Sequence, residues 1–413
     1  MIEFFTDPVL RAPTLGSILM CLAASLMGVV IFLQKRSLLS EALSHSTYPG
    51  ACIGVALFAL LCPQYDEWVF LAILGGALLS SWAGLKLVQF LEVKEKVKPD
   101  AALCFVLSVF FGIGMVVASG MQARLPAWHK QVQMLLFGQA ATMTDLHIWI
   151  YGSITALVVL FLFLFYPQLQ AVVFDRNFSL IANVRVKVVE RALFWLLLLS
   201  LVVGIRSVGV TLLSGMVVAP AIAARQYSNR LSALFGLAAL FGAASGFVGN
   251  LLSVWAHLPT GPAIVLVGSA IALFSLLFAP KRGFCFRMGR VASYHVRCLE
   301  ENILKGIWKR GSFTGPFSLR TRYALWKLKK GGWINQNLQL TADGRQKAAS
   351  IVRLHRLWEL YLTQSLGVQI EQVHKTAEEM EHILTSDMEE RLTSLLANPK
   401  HDPHQQPIPE KGL

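Results

Sequence analysis

Apolar stretches of about twenty residues recur along the chain up to residue 280 and then stop. They cover 14–34, 40–62, 68–91, 100–119, 146–166, 188–206, 208–226, 230–256 and 261–279. Each is close to the ~20 residues a helix needs to cross the hydrocarbon of a bilayer. The pattern predicts an all-α polytopic membrane bundle of about nine transmembrane helices over 1–280. Beyond 280 the apolar positions thin out to helical spacing. "YHVRCLEENILKGIWKRG" (294–311) and "TRYALWKLKKGGWI" (321–334) read as amphipathic helices. "NQNLQLTADGRQKA" (335–348) reads as a short hairpin followed by a helix that Thr341 caps. Helix, basic helix, wing, helix is the order of a winged helix-turn-helix. That assigns 281–350 to a winged-helix-like basic domain and 351–413 to a further helical domain.

Small residues crowd the later apolar runs, as in "GLAALFGAASGFVGN" (236–250). Such composition lets helices approach closely, which fits a packed bundle rather than separate anchors. Alternate loops are basic: Lys35–Arg36, 92–98, 175–187, 225–230 and 280–283. With nine crossings this places the N-terminus outside and the C-terminal part in the cytoplasm. Arg206, between two abutting runs, departs from that scheme. The first run lacks a basic start and a small-residue cleavage site, so it is expected to stay as a membrane span.

Of the 413 residues 55% are hydrophobic and 15% charged, and the net charge is +13. The excess is not evenly spread. Residues 281–356 hold 17 Lys and Arg against Glu300, Glu301 and Asp343, a net of +14, whereas 357–413 carry a net of −6. A basic block followed by an acidic one points to an anionic partner for the first and cations for the second. Nucleic acid and anionic lipid both satisfy the first condition. The six cysteines show no C-x-x-C spacing and read as small buried hydrophobes. No G-x-x-x-x-G-K-[ST] phosphate loop occurs, which excludes a P-loop ATPase within the chain.

One apolar run carries chemistry. Glu41 stands four residues before His45, so on a helix the two share a face. Ionisable residues within spans usually line a cavity and mark a transport route. A carboxylate and an imidazole suit Mn²⁺, Fe²⁺ or Zn²⁺. A structural Glu–His hydrogen bond is the other use of such a pair. The stretch "LLSEALSHSTYPG" (38–50) resembles the "LLGDALSHAVLPG" signature of bacterial ATP-binding-cassette permeases for zinc, manganese and iron. The likeness continues through 98–119, 131–149, 174–184, 207–225 and 249–266. It implies a transmembrane subunit in the bacterial inner membrane, with Glu41 and His45 lining the metal route. Glu41 replaces the family's usual Asp. It also implies partners: a cytoplasmic ATP-binding subunit, an extracytoplasmic metal-binding protein, and a second permease subunit of the same or another kind. Contact with the ATPase falls on 174–184, including Asp175, Arg176, Asn177 and Phe178. His129, Asp145 and His147 flank an outer loop and read either as receivers of metal or as ordinary interfacial polar residues.

The acidic end carries a second constellation. Glu378, Glu381 and His382 stand at i, i+3 and i+4, and His355 on the preceding helix offers a fourth ligand. "LKKGGWI", "LQLTADGRQKA", "RLHRLWE", "AEEMEHIL" and "DPHQQPIP" resemble the iron- and manganese-dependent repressors of the diphtheria-toxin-repressor type. The resemblance implies a metal-sensing and dimerisation role for 351–413. Its ligands would be His355, Glu378, Glu381 and His382, with Glu359 as an accessory and Glu301 from the first helix. Cys298 occupies a ligand position where that family has Asp or Met. Arg320, Arg322, Lys327, Lys329 and Lys330 would contact phosphates of operator DNA. One departure bears on that last role: where the family has a helix and a turn, this chain has only "SFTGPFS" (312–318). The expectation is a permease for a divalent transition metal that also serves as regulatory ligand. Its tail is either a metal-dependent repressor, tethered or released, or a sensor that regulates the permease in place.

Overall fold

The computed structural model describes residues 3–61, 69–138, 140–181, 185–369, 373 and 386–410. The chain divides into two compact units, Met1–Phe286 and Arg287–Leu413.

The first unit is all helical among the described residues. After a single turn at Glu3–Thr6 come α1 (Pro8–Leu33), α2 (Ser37–Leu61), α3 (Val69–Val93), α4 (Pro99–Arg124), α5 (Pro126–Phe137), α6 (Asp145–Leu164), α7 (Tyr166–Phe174) and α8 (Arg176–Ile181). Then follow α9 (Val186–Val208), α10 (Leu213–Tyr227), α11 (Leu231–Ala256) and α12 (Thr260–Phe278). Eight of these, α1, α2, α3, α4, α6, α9, α11 and α12, are long and apolar enough to span a membrane. The seventh of the nine runs expected from the sequence, 208–226, does not form a full-length span. Gly209 (φ +91°) ends α9, and the loop after it donates Val210 N–H to Leu135 O at 3.0 Å. What remains is α10, 15 residues long, or about 22 Å at 1.5 Å per residue. That is short of the ~30 Å hydrocarbon core. Instead α10 is sunk into the bundle, with Leu213, Met216, Val217, Ala223 and Ala224 buried.

Close approach of backbones holds this unit together. A Cβ on Gly50 would collide with the carbonyl oxygen of Gly76, and one on Gly76 with that of Gly50, so α2 and α3 touch backbone to backbone. Gly28 brings α1 equally close to the Val217 carbonyl of α10. Polar groups also find partners between α1 and its other neighbours: Asn250 Nδ2 of α11 donates to Thr14 Oγ1 at 2.6 Å and Thr155 Oγ1 of α6 to Leu19 O at 2.9 Å. Without lipid-facing water to help, each such pair removes a costly unsatisfied group.

The second unit is built on α13 (Phe284–Arg310), α14 (Leu319–Lys330), α15 (Ala342–Leu366) and α16 (Ser386–Leu395). Its core gathers Ile303, Leu304, Ile307, Ala324, Leu325, Leu328, Ile334, Ala348 and Ile351. Ser318 Oγ caps α14 by accepting from Thr321 N–H at 3.2 Å, and Thr341 Oγ1 caps α15 by accepting from Gly344 N–H at 3.1 Å. No strand forms among the described residues where a wing was expected. The Asn335–Gln339 turn, closed by Asn335 N–H to Gln339 O at 2.8 Å, consumes the segment, and one antiparallel bridge, Ile334 with Leu340, is left. Residues 312–318 form no helix either. Further along, buried Arg353 ties α15 to α16 and to the tail, through Glu389 Oε1 (3.0 Å), Thr393 Oγ1 (3.2 Å) and Pro409 O (2.8 Å).

Candidate metal route and metal-binding module

The α2 residues around Glu41 and His45 are unusually polar for an apolar helix, and the helix itself absorbs most of that polarity. Ser44 Oγ donates to Glu41 O at 2.9 Å, Ser46 Oγ to Ala42 O at 2.6 Å and Thr47 Oγ1 to Ser44 O at 2.5 Å. From α3, Ser80 Oγ donates to Ser46 O at 2.6 Å and Ser81 Oγ to Leu43 O at 3.2 Å. The hydroxyls are thus spent on backbone carbonyls. Pro49, which has no N–H to donate, lies one turn beyond His45 inside the same helix.

His45 is different. It is 8% exposed, and its ring stands edge-on to Phe111 with centroids 4.8 Å apart. Its Nδ1 is buried and has no hydrogen-bond partner in the structure. Glu41, one turn earlier, is half-buried. An orphaned imidazole nitrogen is expensive unless something visits it. A neutral imidazole and a carboxylate are both ligand types that divalent transition metal ions accept. No cluster of three or more His, Cys, Asp or Glu occurs among the described residues. The pair therefore offers an ion two ligands, not a closed cage.

Around the predicted ATPase contact, Asp175 Oδ1 accepts from Phe178 N–H at 2.9 Å and so starts the short helix α8. Asn177 is exposed, and so are Phe174 (64%), Phe178 (61%) and Ile181 (85%). The Arg176 side chain lies outside the described residues. At the start of α6, Asp145 pairs with Arg11 at 2.5 Å. His147 Nδ1 accepts from Thr144 N–H at 3.1 Å as part of a capping box.

In the second unit, His355 and Glu359 pair with each other. His355 Nε2 lies 3.1 Å from Glu359 Oε1, and both residues are buried. The third member of the group was not expected from the sequence. Lys305 of α13, 5% exposed, places Nζ 3.2 Å from His355 Nδ1. The chemistry of His355 and Glu359 fits a divalent ion, although Lys305 now engages one of the two imidazole nitrogens. Glu301 is half-buried, with Arg297 at 3.9 Å. Cys298 is half-buried as well. Its hydrogen bond with Tyr294 is the main reason that phenol is pushed above its ordinary range. Glu378, Glu381 and His382 lie outside the described residues.

Arg320, Arg322, Lys329 and Lys330 are exposed on α14. Lys327 is exposed as well, and its Nζ lies 2.8 Å from Oε1 of the buried Glu300. Neither Lys305 nor Glu300 stood out in the sequence. The available signal was their spacing: both fall on the buried face of α13 with Ile303, Leu304 and Ile307.

Residues 6–279 match the ABC 3 transport family, and residues 341–410 match the iron dependent repressor, metal binding and dimerisation domain. A "Probable metal transport system membrane protein" of Chlamydia trachomatis serovar D is 33% identical, covering 98% of this chain and 97% of that protein. The "Zinc transport system membrane protein TroC" of Treponema pallidum is 34% identical over 70% of this chain and 95% of its own length. Among solved structures, "PsaBC from Streptococcus pneumoniae in complex with Fab" shares the fold of the membrane unit. Its TM-score is 0.59 at 24% identity, covering 68% of this chain and 95% of that one. This chain belongs to the ABC 3 transport family and carries at its C-terminal end a metal binding and dimerisation domain of the iron-dependent repressor kind.

Proposed function

We propose that the chain is the membrane subunit of an ATP-binding-cassette importer for a divalent transition metal, manganese, zinc or iron, in a bacterial cell membrane. The relatives named for zinc and manganese transport support this choice of cargo. The observation that carries the route is the buried, unpartnered Nδ1 of His45 one helical turn from Glu41 in the membrane unit. Moving a bare divalent ion into hydrocarbon costs on the order of tens of kcal/mol. One carboxylate offsets charge, and one imidazole replaces part of the hydration shell. Two ligands hold the ion weakly enough for it to leave, which conduction requires. A second permease subunit, the same chain or a sister, completes the passage. A separate cytoplasmic ATPase docks on the exposed apolar residues of α7 and α8, Phe174, Phe178 and Ile181. An extracytoplasmic binding protein delivers the ion. The basic loops at 175–187 and 280–283 put α8 and the C-terminal unit on the cytoplasmic side, which requires the short α10 to complete a crossing between α9 and α11.

Imported metal then loads the C-terminal unit at His355, Glu359, Glu378, Glu381 and His382, with Glu301 and Cys298 near the first helix. Pairing of two such units reports metal supply to the permease itself. A repressor acting on operator DNA is the alternative, favoured by the match of 341–410 to a repressor's metal-binding domain. Gel shift of the full chain in detergent, with and without Mn²⁺ or Fe²⁺, separates them: a metal-dependent shift at physiological salt supports the repressor, and its absence supports control in place. Uptake of radioactive metal by the assembled transporter, wild type against Glu41→Ala/His45→Ala, tests transport itself.

A further inference from the structure

The helix α14 has two faces of opposite character. Thr321, Ala324, Leu325 and Leu328 are buried and join the core of the second unit. The opposite face is not the polar surface that a helix exposed to water presents. Leu319 is 84% exposed, Tyr323 53% and Trp326 55%, at i, i+4 and i+7 on one stripe. Tyr323 and Trp326 stack with centroids 5.9 Å apart, and Lys330 Nζ sits 5.3 Å from the Trp326 ring centre. Phe317, just before the helix, is 64% exposed. Arg320, Arg322, Lys329 and Lys330 flank this stripe, all exposed. No acidic residue stands between Glu301 and Asp343.

We propose that this aromatic and basic face of α14 binds an anionic lipid surface, laying Leu319, Tyr323 and Trp326 into the headgroup region with the four cations around them. A helix with Trp, Tyr and Leu on one stripe and Lys and Arg beside it is the composition that lies in a bilayer interface. Each Lys or Arg close to an anionic leaflet adds to the attraction. The chain tethers the second unit to the bilayer: Arg287, where that unit begins, follows Phe278, the end of the last span, by nine residues. Duplex DNA is the competing anion, and three observations weigh against it. A groove-reading helix joins its supporting helix by a turn of about three or four residues, whereas the irregular stretch 311–318 separates α13 from α14. A wing is reduced to one bridge. Lys327 is committed to Glu300. A stripe of Leu, Tyr and Trp also offers little hydrogen bonding to base edges.

Hydrogen exchange on the full chain in nanodiscs tests this. One set holds phosphatidylcholine only, and the other adds about a third of phosphatidylglycerol. The amides of 317–330 are expected to exchange about tenfold more slowly in the anionic discs, and high salt should reverse most of the difference. The slowing should vanish in Leu319→Ser/Tyr323→Ser/Trp326→Ser. It should also vanish in the milder Arg320→Gln/Arg322→Gln/Lys329→Gln/Lys330→Gln, with exchange in α15 unchanged as the check on folding. Equal exchange of 317–330 in the two lipids overturns the proposal. So does protection produced by added duplex DNA in phosphatidylcholine discs but not by anionic lipid.

Discussion

Lys305 holds its ammonium nitrogen 3.2 Å from Nδ1 of His355, while Nε2 of the same ring stands 3.1 Å from a Glu359 oxygen. With Nδ1 accepting from the ammonium and Nε2–H donating to the carboxylate, both ring nitrogens are engaged. An ion that takes Nδ1 as a ligand must first displace Lys305. A hydrogen bond from a charged donor contributes about 1.5–3 kcal/mol, or roughly ten- to a hundredfold in affinity. Lys305→Met should therefore tighten Mn²⁺ binding to the full chain by that factor, read from the free-ion electron paramagnetic resonance signal at equilibrium. Binding that is unchanged or weaker in the variant contradicts this role for Lys305.

Gly50 and Gly76 face each other across α2 and α3 so closely that neither leaves space for a methyl group. The obstacle is main chain in both directions, which cannot swing away as a side chain can. Gly50→Ala or Gly76→Ala should cost about 1–3 kcal/mol through overpacking and lower the Tm of the detergent-solubilised chain. Gly112, whose added Cβ meets nothing within 4 Å, is the control. Gly112→Ala should leave Tm unchanged. If all three variants melt with the wild type, the close α2–α3 approach is wrong.

Phe178 and Ile181 leave most of their surface uncovered on a six-residue helix that Asp175 caps. Central apolar anchors of an interface typically cost 2 kcal/mol or more when removed, about thirtyfold in affinity. Phe178→Ser/Ile181→Ser should weaken association of the purified chain with its ATPase subunit by about that factor, measured by surface binding of the two components. Metal binding to the second unit should not change. Unaltered association places the ATPase contact elsewhere.

Glu41 and His45 stood out in the sequence because ionisable side chains are rare in an apolar run. Glu41 and His45 needed only helical spacing to be read together. The late start of α10 was not legible. Hydropathy runs on through Val208 and Val210, so 208–226 reads as a full span, yet Gly209 turns the chain by a backbone angle that composition does not show and the helix begins only at Leu213. The wing failed for a related reason: Asn335 and Gln339 bond to each other and close a turn over residues that alternate like a hairpin. Lys305 escaped notice because a lysine on an amphipathic helix usually carries its charge to water. Only packing of α13 against α15 reveals that this one stays buried beside a histidine.

The most direct test is uptake of ⁵⁴Mn or ⁶⁵Zn into vesicles that contain the complete transporter. Glu41→Ala and His45→Ala, singly and together, should reduce the initial rate by about tenfold or more, since each removes one charge-assisted contact. ATPase binding should stay intact. Uptake at the wild-type rate in the double variant would mean that the ion crosses without either side chain and would contradict the proposed route.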